Sequence, residues 1–147
     1  MEPRLTERQQ REREAHDRWA QSTRDEQLLV RESFESPTAL ENRFILSHFG
    51  DLTGLRVLDL GSGMGEASLY FASRGASVRA VDISPGQLAV LEQAAKEQGL
   101  DVQTYCGPAE RLPYADGEFD IVYGDGVLHH VEIKAVIPEM KDRKSVV

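Results

Sequence analysis

Residues 57–65, VLDLGSGMG, constrain the fold more than any other stretch of the chain. A short apolar run, Val57-Leu58-Asp59-Leu60, leads into glycines at alternate positions, Gly61, Gly63 and Gly65, separated by Ser62 and Met64. The next nine residues, EASLYFASR, contain no Pro or Gly and read as a helix stopped by Gly75. A buried strand that passes through a glycine turn into a helix begins an open parallel sheet. Ligands of such sheets bind at the carboxyl ends of the strands, where glycine lets the backbone come close.

The pattern then repeats. VRAVDI (78–83) reads as a second strand. Ser84 caps the next helix, with Pro85 at its first position and Gln87 closing a capping box. Leu88, Leu91 and Ala95 line one face of that helix until Gly99. VQTYC (102–106) is a third strand, a loop of about a dozen residues follows, and FDIVYG (119–124) is a fourth strand. Strands that alternate with helices predict a parallel α/β sheet with right-handed crossovers.

The flanks differ. Residues 6–31 lack Pro and Gly and are rich in Arg, Glu and Gln, which predicts one or two polar helices. Their apolar face is sparse: Trp19, Leu28, Leu29 and Val30. After Pro37, Thr38 and Glu41 form a capping-box pattern, Leu40, Phe44 and Ile45 share a face, and Gly50 ends the helix. Residues 131–147, VEIKAVIPEMKDRKSVV, begin as a helix expected to stop at Pro138. The expected division is a helical cap over residues 1–36, a ligand-binding body over 37–135, and an irregular tail over 136–147. Four strands leave the last one as an open parallel edge, so the chain reads as incomplete. DRKSVV (142–147) reads as non-native sequence.

Charge limits the partners. Twenty-five acids against 17 Lys plus Arg leave a net charge of −8. Seven Arg balance seven acids in residues 1–31, so the whole excess lies in the body. An acidic body repels phosphate backbones, which disfavours nucleic acid. No stretch approaches the ~18–20 apolar residues of a membrane span, and MEPRLTERQQRERE has no apolar core of a secretory signal. Cys106 is the sole cysteine, which excludes an intramolecular disulfide and a cysteine metal cluster. The expected location is the cytoplasm.

The residues themselves narrow the ligand. Asp82 ends the second strand, 21 residues after Gly61, a spacing that suits a ribose diol. A dinucleotide fingerprint needs its third glycine at position 66, which is Glu66, and no phosphate-cradling GxxxxGK[ST] occurs. The Asp59 carboxylate beneath the turn would repel a pyrophosphate and attract a ligand carrying a sulfonium and an ammonium. His129 and His130 follow the fourth strand and are candidate bases. His16 and His48 lack partners at metal-ligand spacing and read as structural or exposed, so no metal is expected. Cys106 reads as a small buried hydrophobe, Trp19 as a core or lid anchor, Tyr70 and Phe71 as core, Tyr123 as packing in the sheet, and Asp116-Gly117 as a turn.

Taken in order, VLDLGSGMGEASLYFA, VDIS, AERLPY and FDIVYGDGVLHHV resemble the class I S-adenosylmethionine-dependent methyltransferases over roughly residues 50–135. The branch most resembled acts on small molecules and includes quinone-biosynthesis C-methylases. HDRWA (16–20) is similar to the N-terminal cap of such enzymes. The resemblance implies a Rossmann-like, doubly wound parallel sheet, of which this chain supplies the first four of seven strands. It implies S-adenosyl-L-methionine as cofactor and a small-molecule methyl acceptor. Gly61, Ser62, Gly63 and Gly65 would wrap the methionine part, with Asp59 orienting the turn. Asp82 would take both ribose hydroxyls, and Ile83 and Ser84 would flank the adenine. Ala109 and Glu110 fall at the adenine edge. Pro108 stands where many members carry an acidic residue. Gly124 and Asp125 would lie by the methionine amine. His130, ahead of His129, would be the base for an acceptor that must lose a proton. Two alternatives remain: a non-catalytic nucleoside-binding fragment, and an NAD-dependent oxidoreductase.

Overall fold

A computed structural model describes residues 4–23 and 30–143. The element order is α1 (Glu7–Thr23), α2 (Val30–Glu35), α3 (Leu40–Phe49), β1 (Arg56–Leu60), α4 (Glu66–Ser73), β2 (Ser77–Asp82), α5 (Pro85–Gln98), β3 (Val102–Cys106), β4 (Ile121–Tyr123) and α6 (Ile133–Arg143). The four strands form one parallel sheet in the order β3-β2-β1-β4. The chain winds outward from β1 through β2 to β3, then returns to place β4 on the other side of β1. That reversal opens a crevice at the carboxyl ends of β1 and β4, where a doubly wound sheet binds its ligand.

Alternation along the strands sets the layers. Val57 and Val78 pack with Tyr70 and Phe71 of α4, Phe34 of α2 and Leu52. Ala80 packs on the same side against Leu69, Leu88, Leu91 and Ala95 of α4 and α5. Leu58, Leu60 and Val81 face the opposite layer, formed by Ala109, Leu112, Phe119 and Val136 of α6. β1 is buried on both faces, as its unbroken apolar run requires. Tyr70, Phe71 and Tyr123 lie in the core as expected.

Several local expectations are corrected. α3 starts at Leu40 with Ala39 as its N-cap and no side-chain cap. Ser36 Oγ instead engages Thr38, at 3.3 Å from its N and 2.9 Å from its Oγ1, and this local turn displaces the capping box. Leu40 and Phe44 point outward, 70% and 66% exposed, while Ile45, Leu46 and Phe49 pack inward. The anticipated tail over 136–147 is helical through Arg143. α6 continues past Pro138 because tertiary contacts hold it: Val136 is fully buried, Arg143 pairs with Glu139 and Asp116, and the Asp142 and Arg143 carbonyls accept from the Gly117 and Phe119 N–H groups. Leu28 and Leu29 lie outside the described residues, as do residues 144–147.

Candidate functional site

The glycine turn is shaped by its neighbours. Gly61, Gly63 and Gly65 all have positive φ, at 71°, 56° and 89°. A Cβ on Gly61 would lie 2.5 Å from Val127 Cγ2, and one on Gly65 would lie 2.3 Å from Leu91 Cδ1. The backbone twist therefore demands glycine at both positions, as does close packing against Val127 at Gly61 and against α5 at Gly65. The turn is tied to β2: Gly61 and Ser62 N–H groups donate to the Val81 carbonyl at 2.8 and 3.0 Å, and Gly63 N–H donates to Asp82 Oδ2 at 2.9 Å.

A cavity of about 590 Å³ opens over this turn, within the usual range for small-molecule sites. Asp59, Gly61, Ser62, Gly63, Gly65, Asp82, Ile83, Ala109, Glu110, Asp125 and His130 all line it. Gly124 and Ser84 do not. Gly124 sits beside the cavity against Val127. Ser84 is fully buried and caps α5, accepting from Gln87 N–H at 3.1 Å and donating to Asp17 Oδ1 at 2.6 Å. The expected reciprocal arm of its capping box is absent, because Gln87 Oε1 accepts from His16 Nδ1 at 3.1 Å.

Two carboxyls at the floor are perturbed by burial. Asp59, 1% exposed, accepts a 2.6 Å hydrogen bond from Ser68 Oγ. Desolvation raises its pKa to about 7 against the pull of that bond, with the nearby Asp82 and Asp125 charges adding to the rise. Burial also raises the Asp82 carboxyl, while N–H groups of Ser84 and Gly63 hold it down. Six carboxylates line the cavity: Glu12, Asp59, Glu66, Asp82, Glu110 and Asp125. No Lys or Arg joins them among the described lining residues.

The roof is α1. Its inward stripe is polar: Gln9, Glu12, Arg13, His16 and Asp17, with Ala20 fully buried beside them. Arg13 Nε donates to the Ile83 carbonyl at 2.8 Å. Asp17 Oδ1 accepts from Ser84 Oγ and, at 2.8 Å, from Gly86 N–H, so a carboxylate sits on the N-terminus of α5. Glu12 accepts from His130 Nδ1–H across the cavity mouth. Gln9, Glu12, Arg13 and Asp17 were not singled out in the sequence, although HDRWA contains Asp17. Trp19 is 53% exposed and borders the cavity, so it is not a core residue. His16 is not isolated: Glu12, His16 and His130 present donor atoms within 4.8 Å of one another. Cys106 is half-buried, with Sγ 3.7 Å from the Ile83 carbonyl.

The residues present fit an adenosyl cofactor. Each Asp82 oxygen uses one lone pair on a backbone N–H and keeps one for a hydroxyl. Ser62 Oγ and Gln87 Nε2 are buried polar atoms without a hydrogen-bond partner among the described residues, and both residues border the cavity. Pro108, where an acid was a family option, lines the wall and offers no side-chain acceptor.

Comparison with known proteins agrees with this geometry. The sequence model of a family described as a methyltransferase domain matches residues 57–143. The chain is 38% identical over 94 residues to a ubiquinone biosynthesis O-methyltransferase from Azorhizobium caulinodans, covering 59% of this chain and 37% of that protein. It is 36% identical over 99 residues to a demethylmenaquinone methyltransferase from Renibacterium salmoninarum, covering 67% and 40%. Among solved structures, the geranyl diphosphate C-methyltransferase from Streptomyces coelicolor A3(2) shares the fold with a TM-score of 0.77. That match is 15% identical and covers 97% of this chain and 63% of the other. The chain thus spans well under half of the curated relatives it matches. It belongs to the methyltransferase domain family, with the Rossmann-like fold of its S-adenosylmethionine-dependent members. Among the described residues, no helix is long and apolar enough to cross a membrane.

Proposed function

We propose that the chain carries the cofactor-binding part of an S-adenosyl-L-methionine-dependent methyltransferase acting on a small-molecule acceptor in the cytoplasm. The charge of the cavity carries this reading: six carboxylates and no described Lys or Arg suit a cationic ligand and oppose a phosphate-bearing one. That balance also disfavours the dinucleotide alternative and a nucleic-acid substrate. Asp82 would hold the ribose hydroxyls, Ile83, Ala109 and Glu110 the adenine, and Asp59, the glycine turn and Asp125 the methionine end. The division into a cap, residues 1–36, over a body, residues 37–135, rests on α1 roofing the cavity.

When bound, the cofactor supplies a methyl carbon already activated for in-line displacement. The chain's own task is alignment and exclusion of water. α1, held by Arg13, Asp17 and His16, covers the site. For an acceptor that must lose a proton, His130 is the base: Glu12 accepts from Nδ1–H and leaves Nε2 to take the proton. Of the two relatives above, one is named for ubiquinone biosynthesis and the other for demethylmenaquinone, and a planar ring is the acceptor class that Phe34, Trp19 and Tyr123 around the cavity would accommodate.

Calorimetric titration of S-adenosylhomocysteine into the folded chain tests the cofactor site. Binding in the micromolar range that is lost in Asp82→Ala is expected. A folded chain that ignores this ligand, or one that binds NAD in its place, would overturn the assignment.

A further inference from the structure

We propose that Glu12, His16 and His130 form a binding site for one divalent transition-metal ion, seated between α1 and the turn that follows β4. The donor set comes from two distant parts of the chain. Glu12 and His16 stand four residues apart, so both project from the same face of α1. His130 arrives from the body, more than a hundred residues later, which is why sequence spacing conceals the cluster. One donor atom from each side chain lies within 4.8 Å of the other two. Metal–ligand bonds of ~2.0–2.1 Å place tetrahedral donors ~3.3 Å apart, so the three side chains need only contract by rotamer adjustment.

The orientation of the rings supports coordination. The His16 and His130 imidazoles approach edge to face, with centroids 5.7 Å apart and planes at 85°. His16 Nδ1 donates to Gln87 Oε1 at 3.1 Å. That bond fixes the tautomer and leaves Nε2 with its lone pair, the arrangement in which a ligating histidine is held by an outer acceptor. Gln87 is itself 1% exposed, and its N–H donates to Ser84 Oγ, so the outer acceptor is rigid. His130 and Glu12 already point at one another through a hydrogen bond.

Two imidazoles and one carboxylate suit Zn²⁺, Co²⁺, Ni²⁺ or Fe²⁺ better than Mg²⁺ or Ca²⁺, which prefer all-oxygen shells. Three protein ligands leave an open position, and all three residues border the cavity, so that position takes water or an oxygen of a cavity ligand. Because two ligands belong to the roof and one to the body, the ion clamps α1 over the cavity. An ion held there also engages the His130 ring, so metal occupancy and the proton-transfer role of His130 exclude one another.

The test uses the full chain after treatment with a chelator. Co²⁺ is titrated with absorption as the readout, and Zn²⁺ by calorimetry. One ion per chain is expected, bound at least ~10-fold more weakly in Glu12→Gln and in His16→Ala. His48→Ala, at an exposed histidine on α3, is expected to bind as the wild type does. Histidine ring ¹⁵N spectra of the wild type need no variant: Zn²⁺ shifts His16 and His130 and leaves His48 in place. No binding, binding unchanged in the Glu12 and His16 variants, or ring shifts that spare His16 and His130 would each overturn the site. The readout is metal binding, so it stands apart from the cofactor titration: failure of one leaves the other intact.

Discussion

Asp59 makes the stability of this fold depend on pH in an unusual direction. Its carboxyl is 1% exposed and lies under the glycine turn, bonded to Ser68 Oγ at 2.6 Å. Burial raises its pKa from 3.8 to about 7. In the unfolded chain the group ionises near 3.8, so between these values the folded state holds a proton that the unfolded state has lost. Stability from this group is full below about pH 3.8, declines as pH rises, and is gone above about pH 7. At ~1.4 kcal/mol per unit of pKa the whole effect has a ceiling of about 4 kcal/mol, and the part falling between about pH 5.5 and 8 is about 2 kcal/mol. Asp59→Asn removes the titration and keeps an oxygen to accept from Ser68. Urea unfolding of both proteins across that range is the assay. The wild type is expected to lose about 2 kcal/mol relative to the variant as pH rises. Exposed carboxylates such as Glu35 and Asp51, whose pKa values are lowered by hydrogen bonds, are common to both proteins and cancel in the difference. Parallel curves for wild type and variant would show that Asp59 ionises normally and would refute the reasoning.

Three further outcomes follow from named contacts. Gly65→Ala combines a φ of 89° with a Cβ 2.3 Å from the buried Leu91, and is expected to cost about 3 kcal/mol; Gly63→Ala, with no atom nearer than 3.9 Å, costs about 1 kcal/mol, and equal costs by denaturant unfolding would discredit the packing account. Asp17→Ala removes the acceptor for Ser84 Oγ and Gly86 N–H, so amide exchange in α1 should quicken by about tenfold while β1 and β2 stay protected; unchanged exchange in α1 would mean that Asp17 does not anchor the roof. Pro138→Ala restores the N–H that α6 lacks at its sixth residue, and thermal unfolding should rise by the equivalent of about 1–3 kcal/mol; a lower midpoint would show that the ring itself is needed for packing.

The parts of the fold legible in the sequence are those set by neighbours in the chain. The β1–turn–α4 unit is fixed by an apolar run, three glycines and a helical octet within 18 residues. Ser84, Pro85 and Gly99 bound α5 as their cap chemistry requires. Asp82, Ile83, Ala109, Glu110 and Asp125 reach the cavity because strand ends of a parallel sheet converge there. The rest was hidden for specific reasons. α1 docks through hydrogen-bonding side chains rather than an apolar stripe, so periodicity marks its buried face as solvated. Ser84 faces α5 and Asp17 instead of the cavity, a choice made by α1. α6 overrides Pro138 through contacts with the loop around Asp116.

The same contacts explain why the site has the charge it has. Asp59, Asp82 and Asp125 all line the cavity, and the first two are pushed toward their neutral forms by burial. A cationic ligand entering this space supplies the counter-charge that the protein itself withholds, since no described Lys or Arg reaches the lining. The glycine turn lets that charge approach the backbone, and Gly63 N–H, bonded to Asp82 Oδ2, ties the turn to the end of β2. Binding therefore favours the ionised form of Asp59 and releases its proton wherever the free protein still holds one, below about pH 7. A neutral ligand of the same shape gains nothing from this exchange. Selectivity for a cation over its neutral counterpart is thus built into burial of the carboxylates, and it weakens as pH falls below about 7, because the Asp59 proton must then be released on binding.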